Sequence, residues 1–113
     1  MRTLKLKIND KDYKLSMTRE SIKYLEGNGF ILDKFEEKPI TYYEILFASL
    51  FVANHKEVNP NLAIKLMDSY EKEKGAGMLG KVIKFAIEEY TAFIIALADI
   101  DSEIMEDLEI VEE

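Results

Sequence analysis

The side chains able to do chemistry are few, and their spacing argues mostly against it. Gly75, Gly77 and Gly80 spell G-x-G-x-x-G at the mouth of a helical stretch. A dinucleotide site needs that loop directly after a buried parallel strand, with a later acid to hold the ribose. Here the preceding residues are Tyr70-Glu71-Lys72-Glu73-Lys74, a charged helix end, so the glycines read as a flexible connection between helices. They are followed by no Walker A lysine-serine pair. Asp99, Asp101 and Glu103 open like a calcium loop. Ile104 then stands where the sixth position requires glycine, and Ile110 where the twelfth requires a bidentate glutamate, which leaves a solvated acidic segment. His55, the only histidine, closes an apolar helical stretch, where an imidazole is commonly a helix-dipole partner or a surface residue. Ser16, Ser21, Ser49, Ser69 and Ser102 have no nucleophile-elbow context. Glu88 and Glu89 are adjacent, so on a helix they point about 100° apart and read as a solvated edge. The absence of cysteine excludes disulfides, thiolate metal sites and a cysteine nucleophile. The expectation is a protein that is not an enzyme, with no cofactor and no metal.

The elements around these residues are better marked. Leu4, Leu6 and Ile8 alternate with Thr3, Lys5 and Lys7, the period of a half-buried strand. Asn9 to Asp12 supply turn chemistry, and Tyr13, Leu15 and Met17 resume the alternation. From Thr18, a capping residue, the period becomes helical through Ile22 and Leu25 until Gly27-Asn28-Gly29. Phe30, Ile31, Leu32 and Phe35 make a connection too apolar to lie free, so it is expected to fold back on the core. Thr41 and Glu44 have capping-box spacing, predicting a helix to about Asn54 that is apolar nearly all round. Asn59-Pro60 starts the next helix, Lys72 to Gly80 breaks it, and the last long helix is expected from about Met78 to Ala98. The fold class predicted is α+β, mostly α: an N-terminal β-hairpin packed on a bundle of about four helices. Residues 1–98 read as one globular domain and 99–113 as an acidic amphipathic tail.

Across 113 residues, 22 acids face 15 Lys and Arg, a net charge of −7. The surplus is local. From Asp99 onward there are 8 acids and no base, while the rest carries 14 acids against 15 bases. A phosphate backbone finds no basic stripe in such a body, so nucleic acid is not an expected partner. The opening residues alternate, unlike a signal peptide, and no uncharged apolar run reaches the roughly 18 residues that a membrane span needs.

Apolar surface is the stronger signal. The second and last long helices exceed one stripe, which means either a central core position or a face for a partner helix or a second copy. Tyr43, Phe47 and Phe51 on one, and Phe93 and Ile94 on the other, are the candidate self-association residues; Tyr90 shares the last helix's apolar face. In the tail Ile100, Ile104, Leu108 and Val111 recur at helical spacing among acids. Either the tail is a solvated end, or it folds on a partner or on its own domain through Ile104, Met105 and Leu108.

The segment Tyr13-Lys14-Leu15-Ser16-Met17-Thr18-Arg19-Glu20-Ser21-Ile22-Lys23-Tyr24-Leu25-Glu26-Gly27-Asn28-Gly29-Phe30 resembles the opening of the small tail assembly chaperones of long-tailed bacteriophages, above all those of phages and prophages of Gram-positive hosts. Lys38, Pro39 and Thr41 match the family's "kP.t" loop end, and Ala53, Asn54 and His55 match the end of its apolar helix. The resemblance runs from about Ile8 to Tyr90; the glycine-containing connection and the acidic tail lie outside it. It implies a non-enzymatic protein of the host bacterial cytoplasm, absent from the mature virion. Its partners would be the helical tape measure protein, the tail tube protein, and further copies of itself. Two alternatives stand beside it: a structural or head-tail joining protein retained in the virion, and an acidic host-directed interaction protein.

Overall fold

A computed structural model describes the backbone of residues 2–107 and the side chains of residues 2–97. Strands β1 (Thr3–Ile8) and β2 (Lys11–Ser16) form an antiparallel hairpin with Leu4 opposite Leu15 and Leu6 opposite Tyr13. Its two-residue turn is Asn9-Asp10, both at positive φ (52° and 64°). That is the conformation whose twist matches paired strands, and Asn and Asp adopt it at small cost. Ile8, Tyr13 and Leu15 are buried on the inner face, while Lys5, Lys7 and Lys14 stand on the outer one.

Thr18 caps α1 (Arg19–Gly27): its hydroxyl accepts the Ser21 N–H at 3.1 Å, and Ser21 Oγ accepts the Thr18 N–H at 3.0 Å. Gly29, at φ 73°, reverses the chain after it. A 3₁₀ turn (Leu32–Glu37) follows. Phe30 beside it is buried, packing edge-to-face on Tyr42 and Tyr90 at 5.2 and 5.3 Å, and Leu32 and Phe35 pack half-buried on the core, so the connection folds back except at Ile31, which is exposed.

Helix α2 (Pro39–Ser49) starts and ends earlier than its pattern predicts. Lys38 occupies the cap position without a side-chain bond, and the Thr41–Glu44 box is not used, because Pro39 already fixes the first turn. The chain then leaves the helix at Leu50, not Asn54, because β2 competes for it. The outer edge of β2 needs partners for Lys14 and Ser16. Leu50 C=O accepts the Ser16 N–H at 3.3 Å, and Asn54 Nδ2 donates to Lys14 C=O and Ser16 Oγ at 3.3 and 3.1 Å. His55 Nε2 accepts the Lys14 N–H at 3.0 Å. With Nε2 an acceptor, Nδ1 carries the proton and donates to Glu57 Oε1 at 3.3 Å. His55 also packs against the Tyr13 ring at 5.1 Å, so it is an edge-covering residue.

Asn59 caps α3 (Pro60–Lys74) through the Leu62 N–H at 2.8 Å, with Pro60 at the first helical position, as the pattern predicts. The break before the last helix is much shorter than Lys72 to Gly80. It is Gly75 alone, at φ 93°. Gly77 and Gly80 lie inside α4 (Ala76–Asp107), 32 residues long. This helix is continuous past Ala98, so the expected helix end there is not a boundary in the backbone.

One core joins hairpin and helices. The apolar circumference of α2 is largely accounted for by its central position: Tyr42, Leu46, Phe47 and Ala48 are buried among α1, α3 and α4, while Ile40 in the first turn stays exposed. Phe47 and Phe51, expected at a self-association surface, are each 1 % exposed. Phe51→Ala should therefore lower unfolding free energy by about 3–5 kcal/mol in urea titrations, and Ile94→Ala by no more than about 0.5 kcal/mol. Glu57 accepts its own backbone N–H and faces His55 and Lys11, which holds its carboxyl below its ordinary value. Its contribution is then present at neutral pH and disappears as pH falls through the lowered value. Urea midpoints should separate the parent chain from Glu57→Gln at pH 7 and converge as pH falls through that lowered value.

Candidate partner-binding surface

The distal part of α4 is where the fold runs out of core. Leu79, Val82, Ile83 and Ala86 are buried against α2 and α3. Beyond Tyr90 the helix leaves the body, and the molecule extends 61 Å along one axis against 30 and 22 Å across. Ile94, Ile95 and Leu97 are 40, 56 and 43 % exposed. Ala92 and Ala96 are exposed as well, and Phe93 is half-buried.

On the side facing α1, Phe93 and Leu97, one helical turn apart, border a groove of about 800 Å³. Ile22 contributes to its apolar floor, and Arg19, Glu20, Lys23 and Glu26 stand along its rim. Across Phe93 a second depression, about 320 Å³, is bounded by Met17, Ala92 and Ala96 and closed at its base by Arg2 and Glu89. The distal helix thus presents aliphatic residues to water on one side and borders open grooves on another, with both signs of charge at the margin.

The base of the projecting segment is fastened by an ion pair. The Arg2 N–H donates to Glu89 Oε1 at 2.6 Å, and its Nε to Oε2 at 3.1 Å. Nη2 reaches Glu88 Oε2 at 3.1 Å, and the guanidinium lies 5.3 Å from the centre of the Phe85 ring. The hydrogen bonds to Glu88 and Glu89 push the Arg2 pKa further above its ordinary value. This corrects the expected solvated Glu88–Glu89 edge: the Glu89 side chain is only 7 % exposed, because it is spent on the N-terminal strand. A buried carboxylate with charge-assisted bonds is a structural clasp.

The structure scatters the sequence-predicted surface residues. Tyr43 is half-buried beside Phe35 at 5.8 Å, and Tyr90 is half-buried against Phe30. Phe47 and Phe51 belong to the core. Phe93 and Ile94 do stand together on distal α4. Ile104 and Met105 continue the same helix, but their side chains lie outside the described residues, as does Leu108 altogether. Ile95 and Leu97 belong to the same wide apolar pattern of the last helix and stand exposed beside Phe93 and Ile94, although they are not among the candidate surface residues. Among the described residues no group of three or more His, Asp or Glu could hold a metal ion, and no helix is long and apolar enough to cross a membrane.

A family model described as a domain of unknown function (DUF5055) matches residues 1–108. No curated protein and no solved structure matches the chain.

Arg2→Ala leaves the buried Glu89 carboxylate without its cation and should cost about 1–3 kcal/mol. Urea unfolding measures this, and hydrogen exchange should show the loss of protection spreading from Glu89 along α4.

Proposed function

The chain belongs to the DUF5055 family, and from that premise we propose that it is a non-enzymatic assembly chaperone. It shields apolar helical segments of a tape measure protein while a phage tail tube is built around them. The observation that carries this reading is the uncovered apolar surface of distal α4, at Phe93, Ile94, Ile95 and Leu97, beside an open groove against α1. Helix-in-groove recognition uses this kind of surface: apolar anchors one turn apart, with charged residues at the rim. The resemblance of Tyr13 to Phe30, Lys38 to Thr41 and Ala53 to His55 to tail assembly chaperones points to the client. The structure adds a local reason for the last of these matches, since Asn54 and His55 close the edge of β2.

Burial of a few aliphatic side chains at about 1.5–3 kcal/mol each supplies enough gross stabilisation for reversible binding once association costs are subtracted. A chaperone must release its client, so modest affinity suits the role. The acidic segment after Ala98 keeps an otherwise apolar helix end in solution, in line with the effect of acids on solubility.

The test is binding of helical peptides tiled along a tape measure protein, followed by fluorescence anisotropy. One or more peptides should bind the full chain, and the double variant I95D/L97D should weaken that binding at least tenfold while leaving circular dichroism unchanged. Absence of binding by every tile, or the chain found in stoichiometric amounts in purified virions, would remove this reading. The virion result would favour a retained structural protein.

A further inference from the structure

The hairpin has a second edge, and its surroundings differ from the first. Along β1, among the described residues, no backbone group hydrogen-bonds outside the hairpin. A groove of about 470 Å³ runs there between β1, the end of α3 and the start of α4. Met78 and Phe85 form part of an apolar floor, and Lys5, Lys7, Lys74 and Lys81 surround it. None of these four ammonium groups is paired with a carboxylate among the described residues. The nearby acids are otherwise placed: Glu73 accepts the Asn9 N–H at 3.0 Å, and Asp12 lies opposite Lys7 without forming an ion pair. Lys5 also lies directly opposite Lys14, a like-charge cross-strand pair that destabilises a sheet. The body therefore gathers uncompensated positive charge around an apolar trough, although its total charge is close to neutral.

The complementary surface is in the same sequence. Residues 99–113 carry 8 acids and no base, with Ile100, Ile104, Leu108 and Val111 at helical spacing among them. We propose that the lysine-rimmed groove along the free edge of β1 binds the acidic C-terminal segment of a second copy of the chain. The apolar residues of that segment lie on the floor and its carboxylates meet the lysines.

A chain cannot satisfy its own groove while α4 is helical. Lys81 is at the groove, and Asp107, 26 positions further along the same helix, is about 39 Å away at 1.5 Å per residue. The six residues after Asp107 span at most about 21 Å even when fully extended. The contact is thus between copies and joins two different surfaces. Each copy keeps one free groove and one free tail, so assembly proceeds to a ring or an open chain. This inference is independent of the tape-measure reading: it concerns another face of the molecule and self-assembly without a client.

The experiment compares three full-length chains: the parent, a groove variant K5E/K7E/K74E/K81E, and a tail variant D101N/E103Q/E106Q/D107N. All the altered groove residues are exposed, and circular dichroism checks the fold. In sedimentation equilibrium at about 100 µM and low salt, the parent should form species larger than a dimer and shift towards monomer as salt is raised. Each variant alone should be monomeric. Mixed together they should stop at a one-to-one dimer, because one supplies the tail and the other the groove. If the groove variant does not fold, a labelled peptide of residues 99–113 titrated into the tail variant decides the matter. Its binding should weaken at least tenfold in the milder K5Q/K81Q background. A parent that stays monomeric, variants that associate like the parent, a mixture that stays monomeric, or peptide binding indifferent to the groove lysines would each overturn the proposal.

Discussion

A two-stranded hairpin is the constraint on which this molecule turns. It has one apolar face and two edges of unpaired backbone groups, and alone in water it is marginal. The inner face is covered by the helices, with Ile8, Leu15 and Met17 fully buried. The β2 edge is closed by the segment from Leu50 to His55, using one carbonyl, one amide side chain and one imidazole. That closure explains why α2 stops at Ser49 although its sequence remains apolar to Ala53. It also places His55 and Glu57 as neighbours and brings Phe51 into edge-to-face contact with Tyr13 at 5.4 Å. The β1 edge is treated differently, with lysines in place of hydrogen-bond partners. Charge on an edge prevents indiscriminate pairing while leaving the backbone accessible to a segment of the right sign.

Apolar surface follows a similar division. Two helices look alike in sequence, each too hydrophobic for one stripe, yet they end in opposite environments. In α2 the circumference is consumed over its second half, from Leu46 to Ser49, because α1, α3 and α4 pack around it. In α4 the first half is consumed by α2 and α3, and the second half is not. The difference lies in length: α4 outruns the elements available to cover it. Among the described residues no further element packs over it.

Local signals predicted local structure well. The alternation of Leu4, Leu6 and Ile8, the turn residues Asn9 and Asp10, the Thr18 cap and the Asn59-Pro60 start each act within about four residues, and each is found where the sequence places it. The errors arise where a competing local signal or a distant group wins. Pro39 displaced a capping box by starting its helix early, and Gly77 and Gly80 were absorbed into α4 because Gly75 alone makes the turn. Phe47 and Phe51 could not be assigned to the core from periodicity, since a stripe says which residues are apolar and not which are covered. The Arg2–Glu89 clasp was illegible for the same reason. Its partners are 87 positions apart, and Glu89 reads as a surface acid beside Glu88.

That separation has a consequence for how the chain is made. The hairpin is synthesised first, but the partner of Arg2 is not, and neither are α3 and α4. At translation speeds of 5–20 residues per second, the delay between Arg2 and Glu89 is about 4–17 s. Hairpins form in microseconds. The strands can therefore meet early, but the isolated hairpin is marginal, so they pair and part without cover for an interval some six orders of magnitude longer than their own folding time. Closing a loop of 87 residues also carries its entropy cost late. The native arrangement is thus reached only after the first half of α4 has been made, and until then the lysine-bearing strand has no cover. The same positive charges that flank β1 in the finished molecule would keep growing chains on neighbouring ribosomes from pairing edge to edge.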